Sequence, residues 1–168
     1  MASVIKGYED LPRFPDGRID YTNSQRAPIV VCVIMYGEKI LLVKRSQIVS
    51  NHRDKWDVIT GFIDNPNVSE IEHTVIELEE EIGIKVNNIG EIKIRDSYVY
   101  HDAESDKTLQ VFPVLVVLKS EPSIELNEEN TAFRWIYLKE LEKYDAVPDL
   151  ADAINAALVD GQATTQII

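Results

Sequence analysis

The sequence predicts an α/β (α+β) protein in which a mixed β-sheet is sandwiched between α-helices. Continuous runs of apolar residues, typical of buried strands, recur along the chain. Other segments carry apolar residues at every third or fourth position, as on one face of a helix. A chain of 168 residues is long enough to bury a sizeable hydrophobic core, so we expect one domain.

Apolar runs separated by turn residues place the expected strands. These are residues 28–35, 39–44, 56–60, 92–94, 98–100, 109–118 and 132–137. Residues 92–94 and 98–100 form either a strand pair or one bent strand. Pro113 lies inside residues 109–118, and proline cannot donate a hydrogen bond to a neighbouring strand. We therefore expect that strand to lie at an edge or to contain a bulge, and we expect residues 132–137 to form the last strand.

The first expected helix is specified at both of its ends. It begins at Ser69, because Ser69 and Glu72 have the spacing of a capping box. Gly83 stands where a left-handed residue commonly ends a helix. The core-facing stripe of this helix consists of Ile71, Val75, Leu78 and Ile82. Two further helices are expected over residues 139–144 and 149–159.

The domain itself is expected to cover residues 28–160. Residues 1–27 contain turn formers such as Pro12, Pro15 and Gly17. We expect them to form an extension that packs either on the domain or on a partner chain in a homodimer. Residues 161–168 are expected to form a C-terminal tail.

The composition predicts a cytoplasmic protein that acts on small molecules. The formal net charge of -12 disfavours binding of long nucleic acids, which requires clustered Lys and Arg. Small anions remain acceptable because bound metal ions reverse the local sign of charge. Cys32, the single cysteine, lies in an apolar run and is expected to be a buried core thiol without a disulfide partner. The N-terminal residues lack the apolar core of a signal peptide, and no segment reaches membrane-spanning length.

One face of the first helix concentrates carboxylates. At about 3.6 residues per turn, this face collects Glu70, His73, Glu77, Glu80 and Glu81. A row of glutamates on a helix is most often a solvated face, and His73 is expected at the surface beside Glu77. Here, however, a strand and a glycine-containing loop lead into a capped helix. Because like charges one turn apart repel and a hard cation would relieve the repulsion, the helix is interpreted as half of a metal site.

The stretch from Gly61 to Ile84 resembles the Nudix box, G-x5-E-x7-R-E-U-x-E-E-x-G-U, in which U is a bulky aliphatic residue. The positions that match are Gly61, Glu77, Leu78, Glu80, Glu81, Gly83 and Ile84. The resemblance continues outside the box in the segments LLVKRS, WDVITG and FRWIYLKEL, and it spans residues 28–150. It implies the Nudix fold and a MutT-like Nudix hydrolase domain over residues 28–160.

The box of this chain departs from the pattern at two positions. Ile76 stands where the family has its arginine, and Val68 stands where it has its first glutamate. The loop before the helix is one residue longer, with the insertion near residues 65–67. Losing both charges together is consistent with exchange of an ionic contact for an apolar one, or with decay of catalysis. Glu70, seven residues before Glu77, is a candidate replacement for the missing glutamate.

The resemblance implies a metal-dependent hydrolase that cleaves a phosphoanhydride bond. Its substrate would be a nucleoside diphosphate linked to another group, such as a nucleotide, a nucleotide sugar or ADP-ribose. Mg²⁺ or Mn²⁺ would be held by the catalytic residues Glu77, Glu80 and Glu81, with the Gly61 carbonyl as a further ligand. Phosphate oxygens would be bound by basic residues that end a strand or lie before Trp56, namely Arg45, Arg53 and Lys55.

The sequence alone identifies neither the residue that acts as general base nor whether the chain is catalytically active. The base would be one of the three glutamates of the helix or a loop acid, for which Glu104, Glu128 and Glu129 are candidates. A catalytically weakened nucleotide-binding sensor with the same fold is the main alternative. Isopentenyl-diphosphate isomerase shares the fold but requires a reactive cysteine in a polar motif, which Cys32 in its apolar run does not match.

Overall fold

The computed structural model describes residues 7–159 and the backbone of residues 164–167. The strands are β1 (Arg26–Tyr36), β2 (Lys39–Arg45), β3 (Trp56–Asp57), β4 (Ile59–Phe62), β5 (Ile89–Ile94), β6 (Tyr98–Asp102), β7 (Lys107–Leu118), β8 (Asn130–Ile136) and β9 (Thr164–Ile167). The helices are α1 (Glu70–Ile82) and α2 (Leu150–Leu158), and two 3₁₀ turns cover Val86–Asn88 and Leu138–Lys143.

The sheet is mixed, as predicted. Its main path runs in the order β3-β2-β1-β7-β5-β9, with β4 paired to β1, β6 to β7 and β8 to β2. The pairing of β1 with β7 is parallel, whereas β1 pairs antiparallel with both β2 and β4. The two longest strands therefore form the centre of the sheet.

Side chains of β1 alternate between two hydrophobic cores, because successive residues of a strand point to opposite faces. Val30, Cys32 and Ile34 join the core that contains the apolar stripe of α1. Val31 and Val33 join the core that contains the apolar residues of α2. The two helices therefore cover opposite faces of the sheet, which confirms the predicted α/β fold.

Helix α1 begins and ends where the sequence predicts. Ser69 Oγ accepts a hydrogen bond from the backbone N–H of Glu72 at 3.2 Å. Glu72 Oε2 in turn accepts one from the backbone N–H of Ser69 at 2.8 Å. Gly83 adopts a left-handed conformation with φ of 74° and donates to the Glu79 carbonyl oxygen at 3.1 Å. The two caps therefore fix which residues are helical, and with them the face of the helix on which each glutamate lies.

Three strand predictions need correction. The strand expected over residues 56–60 is interrupted at Val58, whose N–H is bonded to Asp57 Oδ1 at 2.8 Å. Residues 92–94 and 98–100 belong to separate strands, both paired with β7. Residues 130–136 are followed by another strand, β9, which pairs with β5.

The edge position expected for Pro113 was wrong, because β7 is an interior strand. It pairs with β1 on one side and with β5 and β6 on the other. Pro113 lies opposite the break between β5 and β6, where its carbonyl oxygen accepts a hydrogen bond from Arg95 N at 2.9 Å. The missing N–H of proline therefore faces a gap in the neighbouring ladder and removes no strand hydrogen bond.

The chain before β1 packs on the domain in its described part. Tyr8, Ile19 and Tyr21 are buried members of the core beneath α1. Residues 139–144, expected as a helix, lie mostly in the 3₁₀ turn Leu138–Lys143. Residues 1–6 of the predicted extension, and residues 160–163 and 168 at the other end, lie outside the described residues. Among the helices that are described, none combines the length and apolar character that crossing a membrane requires.

Candidate active site

A cavity of about 790 Å³ opens between β4, α1, the residue 46–55 loop and the start of α2. Its wall has an apolar part and a mainly acidic part. Apolar residues of the sheet and of α2 form one part, including Val31, Leu109, Val111 and Leu150. Carboxylates dominate the rest, namely Asp20, Asp57, Asp64, Glu77, Glu80, Glu81, Asp102, Glu104, Glu129 and Asp149. The structure thus brings the three predicted glutamates of α1 into one cavity.

Gly61 and Glu77 meet at the junction of β4 and α1. The Glu77 carboxyl group lies directly over the Gly61 Cα, so a Cβ at this position would overlap Cδ and Oε1 of Glu77. Only glycine leaves room for this carboxyl group. The matched opening glycine of the predicted motif is therefore explained by a close approach and not by a turn, since its φ lies outside the left-handed region.

Burial and mutual repulsion raise the pKa of Glu77. The largest cause of this rise in pKa is removal of the carboxyl group from water. The negative charges of neighbouring acids raise the pKa further. These neighbours are Glu81, Glu80, Glu129 and Asp64. The cavity is therefore lined by more acidic than basic side chains, and a bound cation would favour the ionised form of Glu77.

Glu81 occupies a deeper position on the same helix. Only 6% of the residue is exposed, and its Oε2 accepts a hydrogen bond from Asn130 Nδ2 at 3.0 Å. Burial raises the pKa of Glu81, and the hydrogen bond from Asn130 partly opposes that rise. Glu80, in contrast, is exposed at the cavity mouth. The three glutamates therefore differ in environment, although the sequence makes them equivalent.

Arg45 is the predicted phosphate-binding residue that lines the cavity. Its guanidinium donates to the Asn51 carbonyl oxygen at 3.1 and 3.2 Å and to Asn51 Oδ1 at 3.0 Å. Arg45 Nη1 also lies 3.5 Å from Asp57 Oδ2. Burial raises the pKa of Asp57 to about 6, although the charge of Arg45 lowers it. These contacts hold Arg45 in place at the end of β2.

The structure does not bring Arg53 and Lys55 to the cavity wall. Arg53 Nε donates to the Val49 carbonyl oxygen at 2.8 Å within its own loop. Lys55 Nζ contacts the two carboxylate oxygens of Asp145 at 2.7 and 2.8 Å. The sequence does not reveal the direction that either side chain takes.

Of the remaining residues considered in the sequence, some line the cavity and others do not. Glu104 and Glu129 line the cavity, whereas Glu70 and Glu128 are not among its lining residues. His73 was expected at the surface beside Glu77. It is instead 4% exposed, and its Nε2 accepts a hydrogen bond from Asn65 N at 3.4 Å, because its side of α1 faces the preceding loop. Ile76 is 39% exposed, so it is only partly covered.

Sequence reasoning missed Asp102, which lies with His52 and Glu104 at the cavity wall. His52 Nε2 lies 2.7 Å from Asp102 Oδ1, and His52 Nδ1 lies 3.3 Å from Glu104 Oε2. Burial alone would raise the pKa of Asp102, but hydrogen bonds from Ser105 and His52 hold it below its ordinary value. Asp102 lies in the same HDAESD segment as Glu104, which was the available signal. Asn130, beside Glu81, had no such signal.

The donor set of this cavity fits a hard divalent cation. Carboxylate oxygens and a backbone carbonyl are the ligands that Mg²⁺ and Mn²⁺ prefer, and the crowded charges around Glu77 would be relieved by binding one. In the present arrangement of residues 7–159, no three acidic, histidine or cysteine side chains gather closely enough to enclose an ion. The fit therefore rests on donor chemistry and charge.

Comparison with known proteins gives a family and a fold. The NUDIX domain model matches residues 26–157. The structure is similar to that of a MutT protein from Methanosarcina mazei Go1, with a TM-score of 0.63 and 21% identity over 77% of this chain and 91% of that one. It is also similar to an Ap4A hydrolase binary complex from C. elegans, with a TM-score of 0.61 and 17% identity over 77% of this chain and 93% of that one.

A third similar structure is a bifunctional NMN adenylyltransferase/ADP ribose pyrophosphatase from Francisella tularensis, complexed with AMP and Mn ion. Its TM-score is 0.62 and its identity is 19%, over 77% of this chain and 40% of that one. At these identities the structural similarities establish the fold alone. The comparison with curated proteins yields no match.

Proposed function

The chain belongs to the NUDIX family, and we propose that it is a metal-dependent hydrolase that cleaves the phosphoanhydride bond of a nucleoside diphosphate linked to another group. The observation that carries this proposal is the mixed lining of the cavity. Carboxylates of α1 and the guanidinium of Arg45 share one cavity with an apolar wall formed by residues such as Val111 and Leu150. A charged diphosphate and a less polar attached group would both find matching surface there.

Glu77, Glu80 and Glu81, with the Gly61 carbonyl, would hold Mg²⁺ or Mn²⁺. When bound, such an ion supplies positive charge to crowded phosphate oxygens and lowers the pKa of water. Arg45 would bind a phosphate oxygen, since its guanidinium is already oriented by Asn51 and Asp57.

Deprotonation of the attacking water would fall to a carboxylate of the cavity wall. Glu129 and Glu104 are exposed loop acids that line the cavity, and either would accept the proton if it lies within hydrogen-bond reach of the water. The His52 contact to Glu104 Oε2 engages part of that carboxylate, which makes Glu129 the first residue to test.

The attached group of the substrate is proposed from the cavity together with two relatives. One relative is named as an Ap4A hydrolase and another as an ADP ribose pyrophosphatase with AMP and Mn ion. Both names denote nucleoside compounds, which supports testing dinucleoside polyphosphates and ADP-ribose first. Nucleotide sugars, nucleoside triphosphates and NADH complete the panel.

The proposal is tested by measuring turnover of this panel in Mg²⁺ or Mn²⁺ with two variants. The Glu80→Gln/Glu81→Gln protein should keep its fold and lose turnover by a factor of about 100 or more, as expected for loss of metal ligands. Glu79→Gln is the matched control, because Glu79 lies on the exposed face and pairs with Lys85. Normal turnover by the double variant would refute the metal site, and lack of turnover by the wild-type protein on every compound would favour a nucleotide-binding sensor.

A further inference from the structure

The loop between β4 and α1 (residues 63–69, called the β4–α1 loop) connects Gly61 to the glutamates of α1. Its ties to its own helix are few. Asn65 N contacts His73 Nε2 at 3.4 Å, and Ser69 caps the first turn. Val68 and Ile76, one in the loop and one on the helix, are apolar and cannot form an ion pair. A segment that joins two parts of a proposed site therefore requires support from elsewhere.

Ile63 N donates to the Pro28 carbonyl oxygen of β1 at 2.9 Å, and further support comes from a hairpin outside the matched family region of residues 26–157. We call residues 12–21 the N-terminal hairpin. Its two arms are joined by a bridge between Arg13 and Ile19. The N–H of Phe14 donates to the Arg18 carbonyl oxygen at 2.8 Å, and the N–H of Asp20 donates to the Pro12 carbonyl oxygen at 2.8 Å. The hairpin is thus an ordered unit with its own hydrogen bonds.

Three polar contacts join the N-terminal hairpin to the β4–α1 loop. The N–H of Ile19 donates to the Asp64 carbonyl oxygen at 2.7 Å. Tyr21 Oη donates to the Ile63 carbonyl oxygen at 2.7 Å, and the Tyr21 oxygen is buried. Arg18 Nη1 contacts Asp64 Oδ2 at 3.3 Å. Backbone and side chain of the loop are therefore held by the hairpin at consecutive residues.

The hairpin is itself anchored on the sheet. Ile19 is 1% exposed and Tyr21 is 4% exposed, both in the core beneath α1. The Tyr21 ring lies 5.7 Å from the Phe62 ring at the end of β4. Lys107 Nζ, from β7, donates to the carbonyl oxygens of Tyr21 at 2.7 Å, Thr22 at 3.3 Å and also Ser24. The hairpin is thus attached to β7 at the centre of the sheet.

We infer that Arg18 and Tyr21 of the N-terminal hairpin are positioning residues, which hold the β4–α1 loop so that Gly61 and the glutamates of α1 face the same divalent cation. The inference rests on the proposed function for the identity of the ligand. A segment outside the family region would thus fix the position of Gly61 relative to the glutamates of α1. Both residues line the cavity, and neither is among the proposed ligands of the cation.

The test compares Arg18→Met/Tyr21→Phe with Arg13→Met. The double variant removes the side-chain contacts to the loop and keeps the Tyr21 ring in the core. Arg13 lies on the same hairpin, but its guanidinium donates to the Gly17 carbonyl oxygen within the hairpin at 3.1 Å, which makes it the matched control. Two readouts are needed, namely Mn²⁺ affinity by electron paramagnetic resonance and amide hydrogen exchange of residues 62–69 without cation.

In the double variant, exchange of residues 62–69 should accelerate by about tenfold and Mn²⁺ binding should weaken by about threefold to tenfold, because two hydrogen-bonded ties are lost. Arg13→Met should change neither quantity. The inference is overturned if both quantities stay unchanged in the double variant. It is equally overturned if exchange accelerates throughout the domain while Mn²⁺ affinity is retained, because the hairpin would then be only a general stabiliser.

The two proposals fail in different ways. If the wild-type protein binds no Mn²⁺, the proposed function fails, and local acceleration of exchange in residues 62–69 still decides whether the hairpin holds the loop. If the wild-type protein binds Mn²⁺ but hydrolyses no compound of the panel, only the catalytic proposal is refuted.

Discussion

Replacing Glu77 by Gln should stabilise the protein when divalent cations are removed. The Glu77 carboxyl group is crowded against Gly61 and surrounded by other acids, and burial and these charges raise its pKa. Glutamine has nearly the same shape and no charge to lose. The variant therefore removes an electrostatic cost of folding while the packing over Gly61 is retained, which is the reverse of the usual effect of a core substitution.

The expected gain follows from the cost of protonating an acid on folding. Each pH unit above the ordinary pKa costs about 1.4 kcal/mol if the folded protein keeps the acid neutral. Between the ordinary value of 4.5 and pH 7 this amounts to a ceiling of about 3 kcal/mol. Entry of water and relaxation of side chains reduce it, so we expect about 1 to 2 kcal/mol, or a rise in Tm of about 2–8 °C.

The difference in pH dependence between the wild-type protein and Glu77→Gln identifies the cause, because Glu81 and Asp57 also have raised pKa values and contribute equally to both proteins. Because the pKa of Glu77 is raised in the folded protein, the folded state holds its proton above pH 4.5 while the unfolded chain releases it. Wild-type stability without cations should therefore fall as the pH rises from about 4.5 to 7. The advantage of Glu77→Gln should be absent near the lower pH and largest at the higher one.

The assay is chemical or thermal unfolding in EDTA at several pH values, repeated with Mn²⁺. Glu79→Gln serves as the control, since Glu79 is exposed and its substitution should change the free energy of unfolding by less than about 0.5 kcal/mol. Mn²⁺ should stabilise the wild-type protein more than Glu77→Gln. A loss of stability in Glu77→Gln at pH 7, or a gain that does not change with pH, would refute the electrostatic reasoning.

Three further predictions concern single positions. Gly61→Ala should displace the Glu77 carboxyl group, because the new Cβ overlaps it, and Mn²⁺ binding measured by titration should weaken by about tenfold. Ile76→Arg should not raise turnover, since Val68 offers no ionic partner; a tenfold gain, equivalent to about 1.4 kcal/mol, would contradict this. Cys32 should not react with a thiol reagent in the folded protein, because burial holds its pKa far above the ordinary value, and it should react fully after denaturation. Labelling of the folded protein as fast as an exposed thiol would contradict this.

Features that depend on neighbours in the sequence were predictable. The limits of α1 follow from the Ser69–Glu72 capping box and from Gly83, and both are confirmed. The predicted burial of Cys32 is also confirmed. Strand positions followed from apolar runs, which report burial on both faces of a sheet. The placement of Glu77, Glu80 and Glu81 in one cavity required only the helical period.

The surroundings of these glutamates were decided by the tertiary structure. The predicted basic residues Arg45 and Lys55 look equivalent in the sequence, yet only Arg45 lines the cavity while Lys55 pairs with Asp145. Likewise, Pro113 predicted either an edge position or a bulge, and a gap between two neighbouring strands made an interior position acceptable.

The sequence by itself determined the limits of α1, most strand positions and the face of α1 that carries the acids, because caps and periodicity act between residues a few positions apart. The tertiary structure alone decided what each acid meets. Asn130 reaches Glu81 across 49 positions, and Tyr21 reaches Ile63 across 42. Such contacts depend on the paths of the loops and on which strands pair, and neither is encoded by local periodicity, since a small change of direction at one turn moves a side chain from the cavity to solvent.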